Sequence, residues 1–574
     1  MINIHFDDSK TLWERWQRNA QRTPDRDAIV FWAAGEEPFR WTYKKLIETA
    51  KKFSVLIRDA GIKKGDVCAI IMRHNALFYP LYLGISRAGA LPAVLAYPNP
   101  RLHPDKFRQG LEGMSQRSGL DYILTEADLD PMIRPLYEKE GSTIKSVFFP
   151  LEWDYKKDID PAKDAEVENI AKSIQETDPM LLQHSSGTTG LQKPIKLSHR
   201  AILDHVKNLG GAWQVTENDK LISWLPLYHD FGLIACFHIP LAFGITSIQM
   251  NPFEWVLAPV ILLEAITKEK ATMTCLPNFA YNVLAEKIHD DELAEINLES
   301  LRLVLNGAEP IRHDSHQKFV EKFQKYGLNP LSLACIYGMA EVTLCLVTSV
   351  PGLPLPELVV NRNELSKGFL KFADKDSVTR VCVSTGRLIN GCEIRIVDEN
   401  KIDVPDGVVG EILAKSISMF DGYRNYPEKT KEAFYDGWYI SGDFGFKHNG
   451  EYYIIGRKKD LIIVAGKNLY PEDIEDVINK VEGVTPGRVI AFGEEDDEMG
   501  TEQVAVVAEI IDERLDKNKI RLAILKTGME IDINIHKVYL VPPRWLIKSS
   551  AGKPSRMANK GRLAEKNDPL IWCR

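Results

Sequence analysis

The run Ser185-Ser186-Gly187-Thr188-Thr189-Gly190 packs hydroxyls and glycines into six positions, directly after apolar Met180-Leu181-Leu182-Gln183, with Lys193 following. Such a loop offers hydroxyls and backbone N–H groups to a multiply charged anion, and its glycines let the backbone approach closely. It is not G-x-x-x-x-G-K-[ST], because its glycines are three apart. A flexible surface turn is the alternative. Tyr337-Gly338-Met339-Ala340-Glu341 joins an aromatic ring, a tight turn and a carboxylate. Glu341 could hold magnesium, which takes oxygen ligands and phosphates; a lone Glu is also an ordinary surface group. Tyr439-Ile440-Ser441-Gly442-Asp443 precedes Gly456-Arg457-Lys458-Lys459-Asp460. A carboxylate can accept bidentately from the two hydroxyls of a ribose, with Arg457 as a second anchor. Asp443 beside Gly442 also reads as a plain turn residue. Lys548-Ser549-Ser550-Ala551-Gly552-Lys553-Pro554-Ser555-Arg556 is either a solvated basic tail or a lysine on a glycine turn that reaches a phosphate.

These residues need elements to carry them. Up to about residue 350, short apolar runs alternate with amphipathic stretches. Ala28–Trp32, Asp66–Met72, Asp121–Leu124, Met180–Gln183, Leu221–Trp224 and Leu301–Leu305 read as strands. Leu46, Ala50, Phe53 and Ile57 recur at helical spacing behind Thr42, a plausible N-cap. The alternation implies βαβ units and a largely parallel sheet. From about 380 the runs shorten, as in Glu393–Val397 and Gly410–Ala414, and predict a smaller β-rich piece. The last hundred or so residues read as a small α+β unit. Its first helix opens at Pro471, buries Ile474, Val477, Ile478 and Val481, and stops at Gly483.

Composition bounds the rest. A chain of 574 residues exceeds one ordinary domain, and a net charge of -8 argues against broad nucleic-acid binding. The eight cysteines show no C-x-x-C spacing, so neither a zinc site nor a disulfide framework is expected. No stretch reads as a signal peptide or a membrane span, and a cytoplasmic location is the default.

The four motifs, in this order, resemble the adenylate-forming superfamily of acyl-CoA synthetases, peptide-synthetase adenylation domains and luciferases. The match runs over nearly the whole chain. It is nearest to the fatty acyl-AMP ligases, as judged by Tyr97-Pro98-Asn99-Pro100 with Lys106-Phe107-Arg108, and by Trp224 to Leu233. Pro277-Asn278-Phe279-Ala280-Tyr281, Asn306-Gly307-Ala308-Glu309-Pro310 and Ala340, where many relatives carry threonine, point the same way. The resemblance implies an α/β fold. Residues 1–456 would form a large N-terminal part of several subdomains, with mainly parallel sheets and a small β-barrel-like piece. Residues 457–574 would form a small mobile α+β domain, hinged at Lys459. It implies ATP and Mg2+, with Glu341 and Thr188 at the metal and Ser185 to Gly190 and Lys193 at the phosphates. Asn306 to Glu309 and Tyr337 to Ala340 would frame the adenine, Asp443 and Arg457 the ribose, and Lys553 would be the catalytic lysine. His229 and Phe279 would adjoin the carboxylic-acid substrate.

The implied reaction is acyl-AMP formation with pyrophosphate release, then transfer to the phosphopantetheine of an acyl carrier protein. Val350 to Val381 would hold an insertion associated with poor use of coenzyme A. An acyl-CoA synthetase, a luciferase-like oxygenase and a non-catalytic nucleotide binder are the rivals. An amino-acid adenylating domain would place an acidic residue near Pro277 to Tyr281, and none stands there.

Overall fold

The computed structural model describes residues 6, 8–98, 104–184, 193–464, 467–496, 501–548, 554–564 and 571–573. These form an α/β fold around a nine-stranded sheet. Its centre is parallel, in the order Leu333–Tyr337, Leu303–Gly307, Met273–Pro277, Lys220–Ser223, Thr246–Met250 and Asp27–Trp32. Antiparallel pairings with Phe39–Thr42 and Val347–Thr348 lie towards its two edges. A sheet covered on both faces needs apolar strands throughout. Leu303–Gly307 and Thr246–Met250 are buried at every position; the polar Thr246, Ser247 and Gln249 of the latter are satisfied by donating to the Asp27 and Cys236 carbonyls.

A second sheet, of four parallel strands, comprises Leu91–Val94, Val67–Ile71, Tyr122–Thr125 and Ser146–Phe148. Helix Tyr43–Asp59 begins where the Thr42 hydroxyl accepts from the Lys45 N–H, as the N-cap reading expects. It buries Leu46, Ala50, Phe53 and Ile57 and packs against helix Phe78–Arg87. Burial of Phe53 or Ile57 contributes about 1.5–3 kcal/mol each.

Met180 to Gln183 departs from the parallel expectation. Its strand, Pro179–His184, pairs antiparallel with Pro194–Ser198 as a two-stranded unit. The connection between them is too short for a parallel crossover, which takes about a dozen residues or more, whereas an antiparallel pair needs only a loop.

The β-rich piece is a five-stranded sheet containing Cys392–Val397, Gly410–Ser416, Trp438–His448 and Glu451–Arg457. The stretch before it is ordered: Glu357–Asn361 pairs antiparallel with Thr379–Val383, and helix Arg362–Ser366 lies between them. The last part carries a four-stranded sheet with Val484–Asp496, Thr501–Ile510, Ile535–Val541 and Trp572–Cys573. Its own apolar cluster includes Ile474, Ile478, Val481 and Val506. Helix Pro471–Ile478 ends sooner than expected, because the next N–H groups tighten onto i−3 carbonyls, Lys480 N to Val477 O and Val481 N to Ile478 O. Val481 is therefore buried from beyond the helix, and Gly483, at φ +90°, turns the chain into the next strand. Seven of the cysteines are buried thiols and Cys573 is exposed. No helix among the described residues is long and apolar enough to cross a membrane.

Candidate functional site

Pro277, Gly307 and Tyr337 are the last residues of neighbouring parallel strands. They therefore share one edge of the sheet, the carboxyl edge, where open α/β sheets bind ligands. Two glycines let the chain turn there. A Cβ on Gly338 would stand 2.0 Å from the Leu344 carbonyl oxygen, so only glycine fits. One on Gly307 would stand 2.4 Å from Ile336 Cγ2.

Glu341 sits on the turn Ala340–Val342 and is buried. Its Oε1 accepts from the Tyr423 hydroxyl at 2.8 Å, and the Tyr439 hydroxyl lies 3.3 Å from that of Tyr423. Burial, with the charge of Glu341 adding to it, pushes both phenols well above their ordinary range, so they act as neutral donors. Lys193 Nζ donates to the Tyr423 hydroxyl at 3.3 Å and lies 4.7 Å from its ring centre. Tyr423 thus links the lysine after the hydroxyl-rich loop to the Glu341 carboxylate. Thr343 has φ +73° and is fully buried, a strained state for a β-branched residue, costing about 1–3 kcal/mol. Its hydroxyl donates to Ser418 O, and Phe420 N donates to Glu341 O, each at 2.8 Å. These bonds hold the turn in place.

The Tyr337 hydroxyl donates to Asp443 Oδ2 at 2.7 Å, and Arg457 Nε stands 3.6 Å from Asp443 Oδ1. Adjacent antiparallel strands bring Asp443 and Arg457 into register. Burial raises the Asp443 carboxyl, while Arg457 and the Tyr337 hydroxyl oppose that rise. Partial desolvation of its head group and the nearby Arg457 charge lower the Lys459 ammonium, although the residue as a whole is exposed.

The neighbouring segments differ in what they present. Asn306 is turned inward, its Nδ2 donating to Asn278 Oδ1 at 3.1 Å and lying 2.9 Å from His316 Nε2. Ala308 is exposed at φ +65°, and Glu309 Oε2 accepts from Phe279 N at 2.9 Å. Met339 is half-buried and Ala340 buried. Phe279 stands edge-on to Trp224 and Trp255, whose rings stack 3.8 Å apart. His229 is half-buried, its Nδ1 accepting from Phe231 N at 3.3 Å and lying 2.8 Å from Asp230 Oδ1.

The structure thus brings Lys193, Glu341, Tyr337, Asp443 and Arg457 into two groups, held by hydrogen bonds and, for Arg457, by an ion pair. Ser185 to Gly190, with Thr188, and Lys553 lie outside the described residues. Tyr423, Tyr439, Thr343 and Trp255 join the site without having been singled out as site residues. Tyr439 opens the Asp443 motif, but no local spacing marks Tyr423 or Trp255. Among the described residues no group of three or more His, Cys, Asp or Glu could hold a metal alone. One carboxylate on a pinned turn fits magnesium if phosphates supply the other oxygens.

A family model described as AMP-binding enzyme matches residues 16–424. The medium-chain-fatty-acid–[acyl-carrier-protein] ligase JamA of Moorena producens is 28% identical over 97% of this chain and 95% of its own length. A solved fatty acyl-adenylate ligase from L. pneumophila, in complex with acyl adenylate and pyrophosphate, is 26% identical, with TM-score 0.74 over 98% of both chains. A structure from work on fatty acyl-adenylate ligases of E. coli and L. pneumophila has the same fold, with TM-score 0.87 at 23% identity over 97% of this chain and 98% of its own.

Proposed function

Because the chain belongs to the AMP-binding enzyme family, we propose that it is a fatty acyl-AMP ligase. It joins a fatty acid to AMP from ATP, releases pyrophosphate, and passes the acyl group to the phosphopantetheine thiol of an acyl carrier protein. The observation that carries this reading is the pairing of Asp443, Tyr337 and Arg457 beside the Glu341–Tyr423–Lys193 group. One group suits a ribose and an adenine, the other a phosphate chain with its metal.

In the first step a carboxylate oxygen bonds to the α-phosphorus of ATP, and the bond from that phosphorus to the bridging oxygen of pyrophosphate breaks. The carboxylate is already ionised, so no protein nucleophile or base is required. What remains for the protein is positioning and electrostatic stabilisation of the charge that builds at phosphorus. Asp443 accepts from the ribose hydroxyls, with Arg457 beside it. The Tyr337 ring and Gly307 to Glu309 flank the adenine, and Asn306 fixes that segment from inside. Ser185 to Gly190 and Lys193 hold the phosphates. Glu341 and Thr188 hold magnesium. When bound, the metal supplies positive charge to the phosphate oxygens. Lys553 brings a second cation to the α-phosphate.

Two apolar surfaces adjoin the segment from Trp224 to His229. One is the stack of Trp224, Trp255 and Phe279; the other is a cleft lined by Leu227, Tyr228, Phe78 and Leu95. Both suit an alkyl tail more than a polar one. In this reading residues 1–456 form the adenylation part and 457–574 the part that moves, with Lys459 as hinge. The ordered hairpin at 357–383, which bonds through Asn363 to Asp532 of the later part, supports a carrier protein over free coenzyme A as acceptor. A cytoplasmic location belongs to the same reading, since ATP and loaded carrier proteins are made there.

The test is a panel of carboxylic acids with ATP and Mg2+, read by mass spectrometry of the acyl-adenylate. Fatty acids are expected to give acyl-AMP and pyrophosphate in equal amounts, with thioester forming on holo-carrier protein and little on coenzyme A. Efficient CoA thioester formation would make the enzyme an acyl-CoA synthetase. Oxygen uptake or light would make it an oxygenase, and no adenylate from any acid would overturn the reading.

A further inference from the structure

Asn559 lies on helix Arg556–Ala564 and is fully buried. Its amide serves the backbone on both sides of the segment that ends in Lys553. Nδ2 donates to Ile547 O and to Ser555 O, each at 2.8 Å, and Oδ1 accepts from Ile547 N at 2.7 Å. Ser555 N also donates to Ile547 O at 3.0 Å, and Lys548 and Pro554 form an isolated antiparallel bridge. Residues 547–548 and 554–555 are therefore the two stems of a closed neck, and Lys553 directly precedes the second stem in sequence. A single side chain closes that neck with two donors and an acceptor, a set that aspartate lacks and that glutamine would carry one methylene further out.

The neck is also fixed to its surroundings. Leu546 N donates to Glu509 Oε1 at 2.6 Å. Arg556, next to Ser555, donates to both oxygens of Glu475 at 3.1 and 2.9 Å and to Asp460 Oδ2 at 2.9 Å, and pairs with Glu472 at 3.0 Å. Asp460 follows the proposed hinge residue, Lys459. The base of the lysine segment is thereby tied to the C-terminal sheet and to the hinge turn together. A cation on a short segment with a pinned base samples far less space than one on a free tail, and that restriction is what positioning adds to a rate.

We propose that Asn559 is a positioning residue for Lys553, closing the neck from which the lysine reaches the α-phosphate. This rests on the role given to Lys553 above. The test compares Asn559→Asp, Lys553→Ala and the double variant, using dodecanoic acid, ATP and Mg2+ and reading single-turnover acyl-AMP. Asn559→Asp keeps the shape and the acceptor but loses both donors. It is expected to lower kcat at least tenfold and to leave KM for ATP within about twofold. It should have no further effect in the Lys553→Ala background, since two residues acting through one group are not additive. Thermal unfolding and ATP binding of each variant report the folded fraction. Full kcat in folded Asn559→Asp, or an equal loss in both backgrounds, overturns the proposal. A near-normal rate in Lys553→Ala instead overturns the role of the lysine, a separate result.

Discussion

Burial raises the Asp443 carboxyl, and Arg457 and the Tyr337 hydroxyl oppose that rise without cancelling it. The folded chain therefore holds this proton more tightly than the unfolded chain does. Ionised Asp443 lowers stability; the penalty is full above the raised value and vanishes below the ordinary carboxylate value, about pH 4. Asp443→Asn removes the charge at nearly constant shape. It is expected to raise Tm near neutral pH, with the gain closing as pH falls towards about 4; thermal unfolding across pH checks the sign. In its proposed role, Asp443 also loses by this change the charged bond to the ribose hydroxyls. A charged hydrogen bond contributes about 1.5–3 kcal/mol, so KM for ATP should rise roughly ten- to hundredfold. A variant that gains stability while losing nucleotide affinity would mark Asp443 as a residue kept for binding. A turn aspartate would change neither.

At the scale of elements, the turn after strand Leu333–Tyr337 is the tightest point of the site. Gly338 meets backbone, the Leu344 carbonyl and Cys345 Cα, rather than a side chain that could move aside. Gly338→Ala is expected to cost about 1–3 kcal/mol, towards the upper end because backbone must shift. It should also displace Glu341 three residues on. Denaturant midpoint and pyrophosphate release should fall together; an unchanged midpoint would show that the turn can open. Much at this scale was legible beforehand. The central parallel strands, the Thr42 cap and the helix start at Pro471 all follow from apolar period and residue chemistry. Apolar period alone puts Pro179–His184 with the parallel strands, yet it pairs antiparallel, since apolarity reports burial and not strand direction. The 357–383 hairpin is not legible in the sequence, because its strands are partly exposed, with no clear alternation.

At the scale of the molecule, the two proposed parts touch through several polar bonds. Arg312 donates to Glu472 O at 2.6 Å, Arg380 pairs with Asp473 at 2.8 Å, and Lys480 pairs with Asp314. The proposed rotation about Lys459 would break these: the exposed Lys480–Asp314 pair contributes only about 0–1 kcal/mol, whereas Arg380 and Asp473 are largely buried, so parting them costs more unless water reaches both as they separate. The 3-10 turn Lys458–Asp460 is where the backbone would change. Lys459→Pro fixes φ there. Acyl-AMP formation is expected to stay within about threefold of the parent while thioester formation falls on the order of a hundredfold, since in the proposed scheme only the second step uses the rotation. Separate assays of the two half-reactions check this, and an equal loss in both would remove Lys459 from the hinge.

The sequence by itself determined the local chemistry: which runs become buried strands, which loops are rich in hydroxyls and glycines, and in what order the carboxylates and lysines come. Those properties are one-dimensional, set by residue type and period. Only the tertiary structure decided which of them meet. The Tyr337 hydroxyl reaches Asp443 across 106 positions, and Tyr423 reaches Glu341 across 82. Strand order at the carboxyl edge carries Tyr337 to Asp443, while the bridge between Tyr423 and Ile195 and the bond from Phe420 N to Glu341 O set Tyr423 against Glu341. Spacing along the chain cannot encode a contact made by sheet topology, and so Tyr423 and Asn559 stayed silent until the fold brought them to their partners.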